Sequence, residues 1–264
     1  MIVLAIVCVL GINSWGYAAS DGERITFKSA DSTVSAPIPA TVYRPKGPGP
    51  FPGVVLLHAC DGIRANDSKW AEWLVTLGYV AILPDSLSPR QVATACGGSG
   101  LTLREQAVDG LGALAYFRSQ PDVIPTKVAV MGWSHGGGAT LISASARFIK
   151  ATHPIGGGYQ AAIAFYPPCI ALQDGNLASP LLMLMGSVDD WTPPDRCDER
   201  GKALQTAGTP IEWKIYKGAK HTFDEPSPDR VVRISGLKYH LEYDRTAAKD
   251  AHDQVQRFLR TYLQ

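Results

Sequence analysis

The sequence predicts an α/β fold in which a mostly parallel sheet carries helices on both faces. Short runs that are almost entirely apolar, such as residues 53–58 and 181–185, are typical of strands buried on both sides. Segments with helical periodicity separate these runs, and strands that alternate with helices favour parallel pairing. A length of 264 residues with 45% hydrophobic residues suits a single α/β domain with a large core.

The elements follow in order along the chain. Alternating polarity or apolar runs predict strands at residues 24–28, 40–44, 53–58, 79–83, 127–132, 161–166, 181–185 and 211–216. Helices are predicted at residues 68–77, at 102–119, directly after Ser134, at 193–207 with Thr192 as the N-cap, and at 247–263. Residues 224–243 are predicted to be irregular and are long for a connection, which makes them a candidate lid.

The first 19 residues predict a secretory signal peptide. They combine an uncharged apolar run at residues 2–10 with a small-residue cleavage pattern at Gly16–Tyr17–Ala18. No Lys or Arg precedes the run, so an uncleaved anchor or a buried first strand remain alternatives. We therefore expect a periplasmic or secreted protein, with one domain over residues 20–264 and no membrane association after cleavage. The net charge of +1 gives no electrostatic reason to expect nucleic acid as a partner.

The strongest functional signal is the pentapeptide Gly132-Trp-Ser134-His-Gly136. It follows a predicted strand and opens a predicted helix, which is the context of a G-x-S-x-G nucleophile elbow. A serine hydroxyl must stand clear of the backbone to be activated by a base. In such a sharp turn the strand and the helix pass very close to each other, so we expect a Cβ at position 132 or 136 to clash with the neighbouring backbone. Ser134 is the predicted nucleophile.

The expected partners of Ser134 lie later in the chain, in the order serine, acid, histidine. Asp189 follows a predicted strand and is the preferred acid, with Asp190 as the alternative. His221 follows the last predicted strand and is the preferred base. Structural or surface positions are the expectation for the other five histidines, which are His58, His135, His153, His240 and His252.

The oxyanion hole is predicted to consist of backbone N–H groups. One belongs to His135, the residue after the nucleophile, and the other comes from the loop after the strand that ends at His58. Cys60 is the preferred second donor, with Ala59 as the alternative. The proposed chemistry requires neither a metal ion nor an organic cofactor.

Five motifs together resemble the dienelactone hydrolase family of α/β-hydrolases over roughly residues 38–263. The resemblance implies an α/β-hydrolase fold with an eight-stranded sheet, in which strand three lies between strands four and five. The namesake enzymes use a cysteine nucleophile, whereas this chain has Ser134. The motifs are His58-x-Cys-x-Gly62, Gly132-Trp-Ser-His-Gly-Gly137, Ala164-Phe-Tyr-Pro-x-Cys169, Gly186-x-x-Asp-Asp-Trp-Thr-Pro193 and Gly218-Ala-x-His-x-Phe223.

The implied topology also bears on the four cysteines that follow the signal segment. It brings together the loops that carry Cys60 and Cys96, and likewise those that carry Cys169 and Cys197, so it implies these two disulfides. The resemblance further suggests Arg90 as a ligand for a substrate carboxylate, although a solvated loop arginine is the alternative. Trp191, beside the predicted acid, is either a pocket wall or a packing residue.

These observations predict a serine hydrolase that cleaves a carboxylic ester or lactone through an acyl-enzyme intermediate. Its partner would be a small-molecule substrate. A peptidase of the prolyl-oligopeptidase kind is one alternative, although the chain has no propeller-sized N-terminal domain. A non-catalytic binding protein on a hydrolase fold is the other. The presence of all three triad residues argues against it, because a decayed site should have lost one of them.

Overall fold

The computed structural model describes residues 22–32, 34–172 and 176–264. The predicted signal peptide, residues 1–19, lies outside the described residues. In the described ranges, none of the helices has both the length and the apolar character that are needed to cross a bilayer.

An eight-stranded sheet forms the centre of the molecule, as the family resemblance implied. Its strand order is β1-β2-β4-β3-β5-β6-β7-β8, so β3 lies between β4 and β5. The pairs from β4 to β8 are parallel, whereas β1 and β2 add an antiparallel edge. The strands are β1 (Glu23–Phe27), β2 (Ile38–Tyr43), β3 (Phe51–Leu57), β4 (Val80–Pro84), β5 (Val123–Trp133), β6 (Ala161–Phe165), β7 (Leu181–Gly186) and β8 (Ile211–Tyr216).

Helices cover both faces of the sheet and bury its alternating side chains. Val55 and Leu57 of β3 belong to the core beneath α2, α3 and α5, whereas Val54 and Leu56 face the core beneath α1 and α6. Successive residues of β3 point to opposite faces of the sheet, and both sets are apolar because helices cover both faces. The helices are α1 (Ala65–Thr76), α2 (Leu103–Arg118), α3 (His135–Ala144), α4 (Ala146–Thr152), α5 (Asp195–Thr206) and α6 (Arg245–Leu263).

Two local predictions were wrong. Residues 224–243 are not irregular throughout, because β9 (Arg230–Ile234) and β10 (Leu237–Leu241) form an antiparallel hairpin outside the main sheet. Ser235 and Gly236 have φ values of 50° and 83°, and two positive values are typical of a two-residue type I′ hairpin turn. Thr192 is not the N-cap of α5, since that helix begins at Asp195 with Pro194 at the cap position.

The cysteines pair as the family topology implied. Cys60 is bonded to Cys96, and Cys169 is bonded to Cys197. The first disulfide joins the loop after β3 to the loop before α2, and the second joins the segment after β6 to α5. Both therefore connect segments at the carboxyl ends of the parallel strands, where an α/β sheet places its functional loops.

Candidate active site

Ser134 lies at the tip of a very tight turn between β5 and α3. Its φ of 51° is a left-handed value that non-glycine residues rarely adopt, and it turns the chain sharply from strand to helix. A Cβ on Gly132 would lie 2.3 Å from the carbonyl oxygen of Gly136, and one on Gly136 would lie 2.0 Å from that of Leu57. The predicted steric need for glycine at both positions is therefore confirmed.

His221 lies between Ser134 and Asp189. Its Nε2 is 3.0 Å from the Ser134 hydroxyl, and its Nδ1 is 2.8 Å from Oδ2 of Asp189. A carboxylate beside Nδ1 favours the tautomer with the proton on that nitrogen, which leaves Nε2 able to accept the serine proton. All three side chains are buried, so little water competes for these hydrogen bonds.

The two neighbouring aspartates have different partners. Oδ1 of Asp189 accepts the backbone N–H groups of Trp191 and Thr192, at 2.9 and 2.8 Å, which orients the carboxylate toward His221. Asp190 instead accepts the backbone N–H and the ring Nδ1 of His240, at 3.0 and 2.6 Å. The structure thus brings Asp189 to the histidine, and it connects Asp190 to the hairpin.

Thr192 is a site residue that sequence reasoning missed. Its hydroxyl oxygen lies 2.9 Å from Oδ2 of Asp189 and 3.1 Å from Nδ1 of His221, and the hydroxyl is 3.0 Å from the Tyr166 carbonyl. The hydroxyl therefore helps to fix the acid and the histidine relative to each other. The available signal was a threonine three residues after an aspartate, which is also the pattern of an ordinary turn.

Two backbone segments border the Ser134 hydroxyl. Helix α3 starts at His135, and the N–H groups of a first helical turn have no partner within the helix. The loop after β3 brings Ala59 and Cys60 to the same cavity as Ser134. The carbonyl of Cys60 accepts the backbone N–H of Ala95 at 2.8 Å, so this loop is held by the segment that carries Cys96.

A cavity of about 230 Å³ opens at Ser134 and His221. Its apolar lining includes Trp191, Val232 and Ile234. Arg64 also lines it, and this residue was not predicted. Its Nη1 donates to Glu225 at 2.6 Å, and its Nε lies 3.7 Å from Oδ1 of Asp61. The buried Nε and Nη2 have no hydrogen-bond partner among the described residues.

The structure does not bring Arg90 into this cavity. Its guanidinium donates to both carboxylate oxygens of Asp109, at 2.7 and 3.2 Å, and to the Ser86 carbonyl at 2.8 Å. Asp109 is fully buried, so a paired cation is needed there. Trp191, by contrast, lines the cavity, with its ring 5.0 Å from the His221 ring.

His58 and His135 are tied to the scaffold beside the site. His58 donates from Nδ1 to the Ala59 carbonyl at 2.7 Å and accepts the Ser86 N–H on Nε2 at 3.1 Å. The His135 ring points away from Ser134, toward Gln106 Oε1 at 2.7 Å. Burial lowers the pKa of both rings, in the case of His135 to about 4.

Asp224 organises a buried cluster behind the triad that sequence reasoning also missed. Its carboxylate accepts the indole N–H groups of Trp70 and Trp133, at 2.9 and 3.0 Å, and the Tyr166 hydroxyl at 2.8 Å. Trp133 precedes the nucleophile, and the Tyr166 ring lies 4.6 Å from the His221 ring. Asp224 thus joins the strand ends that carry the site. Among the described residues, no group of three or more His, Cys, Asp and Glu side chains is placed to hold a metal ion.

Known proteins resemble this chain in sequence. The model of the dienelactone hydrolase family matches residues 38–263. A probable 2-oxo-3-(5-oxofuran-2-ylidene)propanoate lactonase of a Bradyrhizobium species is 25% identical over 226 residues, which are 78% of this chain and 91% of that protein. A carboxymethylenebutenolidase of Pseudomonas putida is 28% identical over 203 residues, which are 69% of this chain and 79% of that protein.

Solved structures show the same fold at lower sequence identity. A putative dienelactone hydrolase of Klebsiella pneumoniae has a TM-score of 0.66 at 19% identity, covering 91% of this chain and 100% of its own. An esterase of Thermogutta terrifontis has a TM-score of 0.67 at 17% identity, covering 94% of this chain and 92% of its own. With the family model matching most of its length, the chain belongs to the dienelactone hydrolase family of α/β-hydrolases.

Proposed function

We propose that this protein is a serine hydrolase that cleaves a small carboxylic ester or lactone through an acyl-enzyme intermediate. Family membership makes it a hydrolase of ester bonds. The observation that carries the serine mechanism is the position of His221, within hydrogen-bond distance of both Ser134 and Asp189. This is the arrangement of nucleophile, base and orienting acid that activates a serine hydroxyl.

The reaction begins when Nε2 of His221 takes the proton of Ser134 and the serine Oγ attacks the substrate carbonyl carbon. The N–H groups of His135 and Cys60, or of Ala59 as the alternative, stabilise the negative oxygen of the tetrahedral intermediate. Asp189 stabilises the imidazolium ion. Collapse breaks the bond to the alcohol oxygen, which receives the proton from His221 and leaves.

The second half of the reaction hydrolyses the acyl-enzyme. His221 deprotonates a water molecule that attacks the acyl carbon, and the proton returns to Ser134 as the carboxylic acid departs. In a lactone the released alcohol and acid are two ends of one product. Apart from the substrate and this water molecule, every group used in these steps belongs to the chain.

The cavity supports a small substrate. Its volume of about 230 Å³ is below the range of ~300–1,000 Å³ that is typical for drug-sized ligands. We propose that Trp191 contacts the substrate and that Arg64, not Arg90, lies beside it. The names of the relatives in Bradyrhizobium and Pseudomonas refer to lactones, which are compact esters of this kind.

We also propose that the protein is exported to the periplasm or secreted. The predicted signal peptide and the two disulfides support this location, because disulfides persist mainly in oxidising compartments. Mass spectrometry of the protein purified from its host should find an N-terminus near residue 20. A retained Met1 in protein from the cytoplasm would contradict the proposal.

A fluorophosphonate probe tests the mechanism directly. We expect it to label the wild-type protein and not Ser134→Ala, with turnover of short p-nitrophenyl esters lost in the same variant. Circular dichroism establishes that the variant is folded. A folded, disulfide-intact wild type that resists labelling would contradict the serine mechanism and favour the binding-protein alternative. Cleavage of proline-containing peptides instead of esters would favour the peptidase alternative.

A further inference from the structure

The hairpin of β9 and β10 presents one of its two faces to the active-site cavity. Its register pairs Arg230 with Leu241, Val232 with Tyr239 and Ile234 with Leu237. Paired residues of an antiparallel ladder share a face, and alternate residues of a strand point the same way. Arg230, Val232 and Ile234 all line the cavity that contains Ser134, so the inner face of the hairpin is a wall of that cavity.

Contacts to the two triad loops hold this wall in place. The Tyr239 ring stacks on Trp191 with centroids 4.8 Å apart and an angle of 8° between the planes. His240 bonds to Asp190, the neighbour of the triad acid. The backbone N–H of Glu242 donates to the His221 carbonyl at 3.2 Å. The hairpin is thus fixed relative to the same loops that carry Asp189 and His221.

The outer face of the hairpin has no part in the cavity. Val231 and Arg233 alternate with the lining residues and are exposed, and 52% of the Val231 surface is accessible to solvent. The strand therefore carries two valines in succession, one facing the cavity and the other facing solvent. Val231 and Val232 form a matched pair with which to separate a cavity effect from a general effect on the hairpin.

We infer that Val232 and Ile234 set the size of the acyl group that the enzyme accepts, and that they favour a short apolar one. This inference rests on the proposed function. The acyl group stays bonded to Ser134 after the alcohol has left, so it occupies the enclosed space next to that residue. Branched aliphatic side chains from the hairpin border this space, and a cavity of about 230 Å³ leaves little room beyond them.

Shortening the wall should shift the acyl preference toward longer chains. We would measure kcat/KM for p-nitrophenyl acetate, butyrate, hexanoate and octanoate in wild type, Val232→Ala, Ile234→Ala and the control Val231→Ala. We expect the ratio of hexanoate to acetate to rise about 10-fold or more in Val232→Ala and Ile234→Ala, because one methylene in an apolar pocket is worth roughly 10-fold or more in discrimination. Val231→Ala should keep the wild-type ratio within about twofold.

A variant that enlarges the wall and a titration of active sites complete the test. Val232→Phe should lose butyrate turnover while retaining acetate turnover, because the larger ring fills the acyl space. Fluorophosphonate titration gives the concentration of active sites. The kcat/KM values of different variants can then be compared even if part of a preparation is misfolded. An unchanged acyl profile in both cavity variants, or an equal shift in Val231→Ala, would overturn the inference. If wild type shows no Ser134-dependent turnover, the proposed function fails first.

A second substrate series identifies the half of the ester that the hairpin contacts. Acetate esters with alcohols of increasing length are compared in the same variants. We expect their relative rates to change less than twofold between wild type and Val232→Ala. A shift confined to the alcohol series would assign the wall to the leaving group and overturn the inference for the acyl group.

Discussion

The turn at Ser134 and the β9–β10 hairpin border the same cavity but are fixed by different kinds of contact. At the turn, backbone meets backbone, and an added Cβ would lie 2.0 to 2.3 Å from a carbonyl oxygen. The hairpin lies outside the main sheet, and side chains such as Tyr239 and His240 attach it to the rim. The turn therefore tolerates almost no change, whereas the hairpin offers positions at which size and polarity can vary.

We therefore expect the turn at Ser134 to determine the reaction rate and the β9–β10 hairpin to determine substrate preference. The groups that we propose to react are placed by the ends of buried parallel strands, which cannot move without disturbing the core. The groups that border the acyl space are carried on an exposed two-stranded element. Variants of the first region should change rate for every substrate, and variants of the second should change the relative rates of substrates.

The largest expected effect distinguishes two adjacent aspartates. Asp189→Asn keeps the shape of the acid but removes the charge that stabilises the imidazolium ion, so kcat should fall by about 10³–10⁴-fold. Asp190→Asn weakens only a partly exposed contact to His240, for which we expect less than about a threefold change. Steady-state kinetics with p-nitrophenyl acetate measures both. Equal losses in the two variants would show that the hairpin attachment is part of the chemistry.

A glycine substitution should have the next largest effect. Gly136→Ala places a methyl group 2.0 Å from the Leu57 carbonyl, which displaces the end of β3 and the oxyanion loop behind it. Since a displacement of about 1 Å can cost about 10²-fold in rate, we expect at least this loss in kcat/KM. Gly97→Ala is the control, because a Cβ there meets no atom within 4 Å. Near-normal activity of Gly136→Ala would contradict the steric account of the turn.

The two disulfides provide a smaller and more selective comparison. They close similar loops, with sequence separations of 36 and 28, so removing either should cost about 3–4 kcal/mol of unfolding free energy. Of these four cysteines, only Cys60 belongs to the loop after β3 that we propose as part of the oxyanion hole. We therefore expect Cys60→Ser/Cys96→Ser to lower kcat about 10-fold more than Cys169→Ser/Cys197→Ser, since a lost oxyanion donor costs about 10²-fold or more. Urea unfolding and ester turnover test this, and equal kcat values would contradict it.

The smallest expected effect is on stability at mildly acidic pH. Burial lowers the pKa of His135 to about 4, so between about pH 6.5 and 4 the unfolded chain binds a proton that the folded chain does not. The unfolding free energy should therefore decrease as the pH falls through this range. The contribution of His135 is about 2 kcal/mol between pH 7 and 5.

Urea unfolding at the two pH values measures this change in wild type and in His135→Asn. The variant has no imidazole at this position, so its unfolding free energy should decrease less between pH 7 and pH 5. If wild type and His135→Asn lose equal stability over this range, His135 is not the group that titrates.

Sequence alone was sufficient for the elements that depend on local pattern. Apolar runs such as residues 181–185 predict buried strands because both faces of the sheet are covered. The elbow around Ser134 is predictable because its steric demands select glycine at fixed spacing. Both the strand order and the disulfide pairs followed from the family resemblance. In each case the decisive information lies within a few residues or in a known motif.

The predictions failed where the decisive contact joins residues that are distant in sequence. The pattern around Arg90 cannot reveal that Asp109 occupies its guanidinium, and nothing near Arg64 indicates a place in the cavity. The hairpin was missed because the alternation in residues 230–234 is short and includes two arginines.

Sequence by itself determined the fold class and the nucleophile motif of this protein, because hydrophobic periodicity and backbone sterics act locally. Only the tertiary structure decided which aspartate faces His221 and which side chains line the space beside Ser134. Both depend on how separate loops meet at the ends of the parallel strands.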